Sequence, residues 1–366
     1  MSVPLFEPIN VRSVEIPNRI AIAPMCQYAA PDNGVAGDWH LMNLGQYCMG
    51  AAGLVMTEAT HVSLDGRITK GCLSLHNDET EAGLKRTFDF CREWGVSKLA
   101  IQIAHAGRKA SCQVPLRGGQ SLPAEEGAWQ TVSASDIPYG EWHTPQALDA
   151  RGIKEVQQQF VESTKRAVRL GFDLFELHAA HGYLMNQFLS PLSNKRTDAY
   201  GGSLENRMRM MVETFEAMRS VIPNDLPLGV RLSAVDWVEG GVELEDTVKI
   251  CAALKELGCD FVDISSGGLH SEQKIKVGPG YQVAFAEAIK REVGIQTWAV
   301  GMIVTAQQAN EIIADGQADM VMLARGAMFN PRWAWHAANE LGVETLYADQ
   351  YKRCRPDLWP GAEMLK

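Results

Sequence analysis

The amino-acid sequence predicts an α/β fold, a closed (β/α)8 TIM barrel, and two observations lead to it. Short apolar segments alternate eight times with longer segments of helical pattern. The apolar segments are continuously hydrophobic, as parallel strands are when helices cover both faces of their sheet. Eight such units joined by right-handed crossovers close into a barrel, and 366 residues accommodate a barrel of typically about 250 residues with insertions.

Each strand and helix of the eight units can be placed on the sequence. The predicted strands are Ile20–Ala23, Gly53–Glu58, Leu99–Ile103, Leu174–Leu177, Leu228–Leu232, Phe261–Ile264, Thr297–Val300 and Met320–Leu323. The predicted helices are Trp39–Met49, Asp78–Trp94, Lys154–Leu170, Leu204–Val221, Leu244–Leu257, Val283–Glu292, Ala306–Ala314 and Ala327–Leu341. In the third helix, Val156, Phe160 and Val168 lie approximately on one face, which is the pattern of a helix that packs on a sheet.

Three segments fall outside these units. The residues from Phe6 to Asn18 are predicted to form an N-terminal hairpin that plugs the lower end of the barrel. The connection after the third strand, residues 107–151, is much longer than an ordinary loop, so we predict an active-site-side loop or lid there. Residues 343–366 form a C-terminal tail that is too short for another domain. Because the chain contains no linker or repeat, residues 1–366 are predicted to be one barrel domain.

The composition excludes several classes of protein. A formal net charge of -10 argues against a nucleic-acid-binding surface, which needs a basic patch. None of the eight cysteines belongs to a Cys-x-x-Cys pair, the spacing typical of zinc and iron–sulfur sites. The first residues lack the basic and apolar regions of a signal peptide, and no apolar run approaches the roughly 20 residues of a membrane span. We therefore expect a cytoplasmic protein with no nucleic-acid or membrane partner.

Unusual polar residues fall at the predicted C-terminal ends of the strands, where the active sites of TIM barrels lie. In chain order, these ends carry Pro24-Met25-Cys26-Gln27-Tyr28, Glu58-Ala59-Thr60, Gln102 with His105, His178 with His181 and Tyr183, Arg231, Ser265-Ser266-Gly267-Gly268, Gly301, and Ala324-Arg325-Gly326. Because the ends of all eight strands meet on one face of a barrel, we predict that these residues share one site.

The glycines and the arginine after the last two strands are candidates for a phosphate site. Backbone N–H groups at Gly301 and Gly326 could approach an anion while Arg325 pairs with it. The alternative is that these glycines only turn the chain. The residues alone leave both interpretations open.

Gln102 and Arg231 lie on strands that face the barrel mouth. A buried arginine must find anionic or carbonyl partners. Taken alone, the sequence favours an internal salt bridge between Arg231 and a strand carboxylate such as Glu176.

The pair His178 and His181 allows three interpretations. The two imidazoles could be metal ligands together with a carboxylate, structural histidines, or donors to an oxyanion. Tyr183 is the best candidate for a general acid because tyrosine stays protonated at neutral pH, although packing is the ordinary role of an aromatic side chain, and Tyr28 is equally ambiguous. Cys26 has no neighbouring base that would activate it as a nucleophile, which favours a small buried side chain.

The segment His178–Leu184, followed by Ser193–Ser203, closely resembles the old yellow enzyme family of FMN-dependent ene-reductases. The segments Pro24–Tyr28 and Gln102–Arg108 narrow the resemblance to the xenobiotic reductase-like, or thermophilic-like, branch of that family. The resemblance extends from about Leu5 to Gly342, which is nearly the whole chain.

This resemblance implies an FMN site at the barrel mouth. The implied cofactor contacts are Pro24, Met25, Cys26, Ala59, Gln102, Arg231, Gly301, Met302, Arg325 and Gly326. Within this set, the last four residues are expected to bind the phosphate, and Gln102 and Arg231 are expected to bind the pyrimidine edge of the flavin. Cys26 is expected to tune the redox potential of the flavin.

The resemblance also implies the reaction. NADPH, or NADH, is expected to reduce the flavin, which then reduces an activated C=C bond, in an α,β-unsaturated carbonyl or nitro compound, with ping-pong kinetics. His178 and His181 would hold the substrate oxygen, Tyr183 would donate the proton, and Tyr28 and Trp359 would contact the substrate. A homodimer or homotetramer is expected, with the C-terminal tail at the rim of its own or a neighbouring active site. No metal is expected.

Two other functions remain open on the residues. One is a metal-dependent TIM-barrel lyase or hydrolase in which His178 and His181 are ligands, and the other is a non-catalytic barrel that binds FMN or another ligand. A flavin absorbance spectrum without stoichiometric metal would decide against the first function. Rapid bleaching of the flavin by NADPH would decide against the second.

Overall fold

Eight parallel strands close into a barrel in the computed structural model, which describes residues 3–365. The strands of the molecule, in chain order, are β1 (Ile9–Val11), β2 (Val14–Ile16), β3 (Ile20–Ile22), β4 (Leu54–Met56), β5 (Thr60–His61), β6 (Lys98–Ala104), β7 (Val132–Ser133), β8 (Gln146–Ala147), β9 (Leu174–Ala179), β10 (Leu228–Ser233), β11 (Phe261–Ser265), β12 (Gln296–Ala299) and β13 (Met320–Leu323). Met1, Ser2 and Lys366, which the predicted domain and tail include, lie outside the described residues.

The barrel strands pair with one another in a closed ring. Their order around the ring is β3, β4, β6, β9, β10, β11, β12 and β13, and β13 pairs with β3 again. Each of the eight predicted strands is present, so the predicted (β/α)8 barrel is confirmed. The short strand β5 pairs with the upper end of β6, and β7 pairs with β8 inside the long connection after β6.

Helices follow the barrel strands in the predicted places, with two differences. The helices are α1 (Asp38–Cys48), α2 (Asp78–Trp94), α3 (Ala150–Leu170), α4 (Leu184–Leu189), α5 (Leu204–Arg219), α6 (Leu244–Glu256), α7 (Val283–Val293), α8 (Ala306–Ala314), α9 (Arg325–Phe329) and α10 (Trp333–Leu341). The predicted continuous helix over 327–341 is wrong, because Pro331 disfavours helical backbone at the residue before it and Asn330 is extended. The short helix α4 is not among the predicted helices.

The interior of the barrel changes from apolar at the bottom to polar at the top. The hairpin of β1 and β2 closes the lower end, where Val11, Val14 and Ile16 pack in one cluster with buried residues of the strands. Within that cluster the rings of Phe261 and Trp298 stack with their centroids 3.7 Å apart. The predicted hairpin plug is therefore present. Because the lower end is filled with apolar side chains, a polar site can lie only at the upper end of the barrel interior.

The register of the strands places polar side chains at the upper end. Leu174 of β9 belongs to the interior cluster, and side chains alternate along a strand, so Glu176 and His178 also face the interior. On the neighbouring strands, Gln102 pairs in register with Glu176, and Arg231 pairs with His178. Four polar side chains thus converge above an apolar core.

The long connection, residues 107–151, lies on the side of the site. Trp129 and Trp142 from this connection pack against a small buried cluster that Tyr28 and Tyr183 also contact. The cluster consists of Ile68, Cys72, Ala106, Ala110 and Cys112. The connection therefore covers part of the barrel mouth, while its role as a lid stays a prediction.

The C-terminal tail packs on the outside of α10. The rings of Trp335 and Tyr347 stack with their centroids 4.6 Å apart, and Tyr351 meets the same tryptophan edge-on at 5.7 Å. Among residues 3–365, no helix has the length and apolar character that a membrane crossing requires.

Candidate active site

Three aromatic side chains come together where β9 ends. The ring centroids of His178 and His181 are 5.2 Å apart, and those of His178 and Tyr183 are 5.1 Å apart. The rings of His181 and Tyr183 are 6.5 Å apart and nearly perpendicular, at 88°. The structure therefore brings the three predicted catalytic residues together around a space at the barrel mouth.

His178 is a neutral imidazole with one nitrogen available as a donor. Burial lowers its pKa well below the usual value, and the neighbouring His181 and Arg231 lower it further. Its Nδ1 accepts a hydrogen bond from the backbone N–H of Ala180 at 3.3 Å. The proton of the neutral ring is therefore assigned to Nε2.

His181 is fixed by contacts from two neighbouring strands. Its backbone N–H donates to Ser233 Oγ at 2.9 Å, and its Nε2 lies 2.7 Å from Ser265 Oγ. Its backbone has φ of 61°, in the left-handed region that non-glycine residues seldom adopt. Burial lowers the pKa of His181 well below the usual value, and the positive charges of Arg231 and Lys109 lower it further.

Two hydroxyl groups lie beside the His181 ring. Ser266 Oγ donates to Gln282 Oε1 at 2.6 Å, and Ser265 Oγ donates to the same oxygen at 3.4 Å. Ser265 Oγ can also donate to His181 Nε2, which is only 2.7 Å away, and in that arrangement the proton of the His181 ring is on Nδ1.

Tyr183 is a protonated phenol at the start of α4. Burial raises its pKa well above the ordinary value of a tyrosine. The Nζ atom of Lys109 lies 5.1 Å from the centre of the Tyr183 ring. Tyr28 is half-buried on the same small apolar cluster, has φ of 56°, and burial also raises its pKa. Both phenols can donate a proton or a hydrogen bond, and neither is ionised at neutral pH.

Cys26 is held as a thiol. A hydrogen bond with Cys72, followed by burial, raises the pKa of Cys26 well above the ordinary value. A nucleophilic cysteine needs a lowered pKa or an adjacent base. The environment of Cys26 raises its pKa, so it does not favour a nucleophilic thiolate.

A buried layer of charged and amide groups lies directly below the three rings. Arg231 Nε is 2.9 Å from Asp263 Oδ2 on the neighbouring strand, so Arg231 does form an internal salt bridge with a strand carboxylate, but with Asp263 and not with Glu176, the example named. Glu176 instead accepts a hydrogen bond from Gln102 Nε2 at 2.7 Å. Burial and the nearby Asp263 raise the pKa of Glu176 to about 8, and burial raises the pKa of Asp263 to about 6. At neutral pH Glu176 is therefore mostly protonated, whereas Asp263 is mostly ionised and forms the ion pair with Arg231.

The glycines after β12 and β13 shape the opposite side of the mouth. Gly301 has φ of 123°, and a Cβ there would lie 2.9 Å from Gln282 Nε2, so only glycine fits. A Cβ on Gly326 would meet nothing within 4 Å, and Arg325 beside it is exposed. Met302 has φ of 51° and is 41% exposed.

These features fit the FMN that the resemblance implies. Open backbone at Gly326 and an exposed guanidinium of Arg325 suit a phosphate. Among the described residues, Arg231 Nε is buried and makes no hydrogen bond of acceptable geometry, although it lies 2.9 Å from Asp263 Oδ2, so the guanidinium can still bind a polar edge of a cofactor.

The remaining predicted cofactor and substrate contacts differ in how far they are buried. Ala59 is buried at the end of the second barrel strand, and Pro24, Met25 and Cys26 are half-buried after the first. Trp359 is 44% exposed in the tail, and no contact joins it to the three rings within the described part of the chain. Its substrate contact stays a prediction.

Sequence reasoning missed several residues of the site. The most important is Lys109, whose Nζ donates to the carbonyl oxygen of His181 at 2.9 Å and to that of Gly268 at 2.7 Å. Ser233 and Gln282 also orient the site, and Asp263 pairs with Arg231. Lys109 directly follows the quoted Gln102–Arg108 motif, and this was the one available signal.

The arrangement differs from a metal site. Both histidines already use one ring nitrogen in the contacts described above. Among residues 3–365, no group of three or more histidine, cysteine, aspartate or glutamate side chains is placed to bind a metal ion.

Comparison with known proteins identifies the family. The sequence profile of the NADH:flavin oxidoreductase / NADH oxidase family matches residues 4–344. An NADPH dehydrogenase from Geobacillus sp. (strain WCH70) is 42% identical over 355 residues, which cover 96% of this chain and 99% of the relative. An NADH:flavin oxidoreductase from Gibberella zeae is 43% identical over 368 residues, covering 95% of this chain and 88% of the relative.

Solved structures agree with this result. Morphinone reductase in complex with tetrahydroNAD superimposes with a TM-score of 0.76 at 26% identity, over 94% of this chain and 92% of that protein. The chain therefore belongs to the NADH:flavin oxidoreductase / NADH oxidase family and is an FMN-dependent NAD(P)H oxidoreductase of the old yellow enzyme type.

Proposed function

We propose that this enzyme reduces activated C=C bonds, in α,β-unsaturated carbonyl compounds and nitro compounds, with NADPH or NADH as reductant. The observation that carries the proposal is the cluster of His178, His181 and Tyr183. It combines two neutral N–H donors with one protonated phenol, all within 6.5 Å between ring centres. That set polarises an oxygen and supplies a proton, which are the two tasks that the protein must perform in reduction of an enone besides positioning the hydride donor.

The proposed cofactor contacts are the residues that line the barrel mouth. Gly301, Met302, Arg325 and Gly326 would hold the phosphate of FMN, and Gln102 with Arg231 would hold its ring, next to Pro24, Met25, Cys26 and Ala59. When bound, FMN accepts a hydride from NAD(P)H and passes it to the β-carbon of the alkene. A positive Arg231 favours the extra negative charge of a reduced cofactor.

The two histidines are proposed to bind the substrate oxygen from different nitrogens. His178 offers Nε2–H, because its Nδ1 accepts from Ala180. His181 offers Nδ1–H, provided that Ser265 donates to its Nε2. Both rings are neutral, so they stabilise a developing enolate by hydrogen bonds while their own protons stay in place.

Tyr183 is the proposed acid that protonates the α-carbon, and Tyr28 is a proposed donor to the substrate. Burial keeps both phenols protonated over the accessible pH range. Because reductant and alkene use the same mouth in turn, we expect ping-pong kinetics. Cys26 would adjust the flavin environment as a neutral thiol.

The wider organisation is also a proposal. Residues 1–366 would form one barrel domain in a reducing cytoplasm, with 107–151 as the active-site-side loop and 343–366 as the tail. The assembly would be a homodimer or homotetramer in which Trp359 reaches the rim of a site.

Substitution of Tyr183 by phenylalanine tests the proposed chemistry in one variant. Tyr183→Phe keeps the ring and removes the proton, so oxidation of the reduced enzyme by 2-cyclohexenone should slow by about 100- to 10,000-fold. Reduction by NADPH should stay near wild type in stopped-flow absorbance, since that step takes no proton from Tyr183. Equal slowing of both half-reactions would assign Tyr183 to packing.

Substitution of His178 tests the oxygen site separately. His178→Ala removes one donor, and loss of such a donor costs about 100- to 1000-fold in turnover. Titration with a phenol, followed through the flavin absorbance, should show weaker binding at unchanged FMN content. Unchanged turnover and unchanged phenol affinity would contradict an oxygen-binding role and indicate that the histidines are structural.

A further inference from the structure

Lys109 connects three loops at the barrel mouth. It ends a short 3-10 turn, Gly107–Lys109, that directly follows β6. Its Nζ donates to the carbonyl oxygens of His181, after β9, and Gly268, after β11, at 2.9 and 2.7 Å. Arg108 in the same turn donates to the carbonyl of Leu269 at 2.8 Å. We call the two contacts of Lys109 the Lys109 bridge.

The bridge acts on two backbones that touch directly. His181 has φ of 61° and Gly268 has φ of 92°. A Cβ on Gly268 would lie 2.5 Å from the Cα of His181, so there is no room for a side chain between the two segments. The two carbonyl oxygens that accept from Lys109 are therefore held close together, and a cation between them offsets their mutual repulsion.

We propose that Lys109 is a positioning residue for alkene reduction, because its ammonium holds the backbone of His181 so that the imidazole keeps its place against Ser265 and the substrate oxygen. This inference rests on the proposed function, in which His181 is an oxygen donor. Lys109 itself acts through His181. The backbone contact of His181 with Ser233 fixes the N–H side of the same residue, and the bridge fixes its C=O side.

The surroundings of Lys109 make the bridge sensitive to pH. Its Nζ lies between two rings, 4.8 Å from the centre of Tyr139 and 5.1 Å from that of Tyr183. The other titratable groups that face it are Arg108, Cys112, His178 and His181. In the described chain no carboxylate forms a salt bridge with Lys109.

Burial, and then the charge of Arg108, lowers the pKa of Lys109 to about 8. Because this pKa is depressed, the ammonium is present below pH 8 and is lost as the pH rises through that value. The bridge is then made by a neutral amine and weakens. Oxidation of the reduced enzyme by an alkene should therefore decline above about pH 8, while the FMN content stays constant.

Three variants test the bridge. Lys109→Met removes the donors, Lys109→Arg keeps a cation that does not lose its proton, and Lys70→Met is the control. Lys70 also donates to a backbone carbonyl, that of Glu126 at 2.7 Å, but it lies outside the site. Lys109→Met should slow the alkene half-reaction by about tenfold to 100-fold, below the loss expected for removal of a donor itself. NADPH reduction and FMN content should be unchanged, and Lys70→Met should match the wild type.

Two further measurements separate positioning from general stability. Hydrogen–deuterium exchange should increase in Lys109→Met in the peptides that contain 178–183 and 266–270, and not in Lys70→Met. Lys109→Arg should recover part of the rate and should lack the decline above about pH 8. The exchange measurement does not need alkene turnover. It therefore tests whether Lys109 holds the backbone of His181 even if the proposed alkene reduction proves wrong.

The proposal would be overturned by Lys109→Met with wild-type alkene rates and wild-type exchange. Equal slowing of both half-reactions would also overturn it, because that pattern indicates general damage to the site. If Lys109→Met does not fold, the pH profile of Lys109→Arg provides the test. If the rate of the alkene half-reaction in Lys109→Arg declines above about pH 8 as it does in the wild type, Lys109 is not the group responsible for the decline, and the proposal is rejected.

Discussion

Several histidines are buried in the neutral form on the inner and upper parts of the barrel. Burial lowers the pKa of His61 to about 3 and that of His105 to about 4. His178 and His181 are shifted in the same direction. Such residues donate hydrogen bonds without carrying charge, which suits a site that must bind a developing anion and also release a neutral product.

His61 provides a test of this burial away from the proposed catalytic residues. Its folded pKa is depressed, so the stability that neutral His61 contributes is complete above about pH 6.5 and is lost as the pH falls towards about 3. His61→Gln removes this dependence, which amounts to at most about 1.4 kcal/mol per pH unit. The variant should be less stable than the wild type at pH 7, and the difference in unfolding free energy should narrow between pH 6.5 and 4. Urea denaturation at several pH values measures it, and a constant difference would contradict the prediction.

Gly301 provides a test of the proposed phosphate site. Gly301→Ala places a Cβ 2.9 Å from Gln282 Nε2 and 3.0 Å from the Tyr281 ring, in addition to the strain at φ of 123°. FMN affinity should fall, as measured by fluorescence titration of the apoprotein. The matched control is Gly316→Ala, where φ is 73° and nothing lies within 4 Å of the new Cβ. Equal FMN affinity in the two variants would remove Gly301 from the cofactor site.

At the scale of elements, the hairpin of β1 and β2 stabilises the barrel from below. Ile16 is fully buried in the interior cluster, whereas Glu15 beside it is exposed. This alternation gives the hairpin one face for the core and one for solvent. The hairpin is therefore a structural element that is separate from the chemistry.

Ile16→Ala should lower the free energy of unfolding by about 2–5 kcal/mol, because it leaves a cavity in a packed core. Glu15→Ala on the same strand is the control and should change stability little. Denaturant titration monitored by far-UV circular dichroism measures both. NADPH oxidation at a temperature where both variants are folded should remain near wild type; a loss of activity without a loss of stability would contradict the assignment.

The strands were predictable because their signal is local, whereas several site contacts depend on register. Continuous apolar runs such as Leu228–Leu232 and Met320–Leu323 identify buried parallel strands from the sequence alone. The partner of Arg231 depends on which strand lies beside β10, and two carboxylates were available. The sequence predicted a strand carboxylate, with Glu176 as the example, and the register places Asp263 opposite Arg231.

Two other differences have separate origins. Pro331 is a local signal for the end of a helix, but the helical patterns before and after it led to the prediction of one continuous helix. The Lys109 bridge joins residues separated by 72 and 159 positions, so no local pattern could indicate it. His178, His181 and Tyr183 could be predicted as one group because they lie within one short segment at the end of β9, and their catalytic roles stay a prediction.

At the scale of the whole molecule, exposed apolar side chains support the proposed assembly. Phe329 is 94% exposed and Met328 is 50% exposed on α9. In the tail, Leu358 is 58% exposed and Trp359 is 44% exposed. Large exposed apolar groups mark interaction surfaces, and tryptophan is enriched where interfaces bind most strongly.

Removal of the tail tests this proposal. A chain that ends after Tyr351 should change KM for enones while its FMN content stays intact, since none of the proposed FMN contacts lies in the removed residues 352–366. Trp359→Ala in the full-length chain should reproduce part of the effect. Analytical ultracentrifugation should give a dimer or tetramer for the wild type. A fully active monomer, or wild-type kinetics after truncation, would reject a role for the tail at the site.

The closed lower end of the barrel has a consequence for steady-state behaviour. Since the hairpin fills that end with Val11, Val14 and Ile16, reductant and alkene must both arrive through the upper face. If both compounds use the same mouth in turn, as proposed, each should act as a competitive inhibitor of the other. High alkene concentration should depress the initial rate, and additional NADPH should restore it. The ratio of alkene to NADPH that gives the highest rate would then follow from the closed lower end of the barrel.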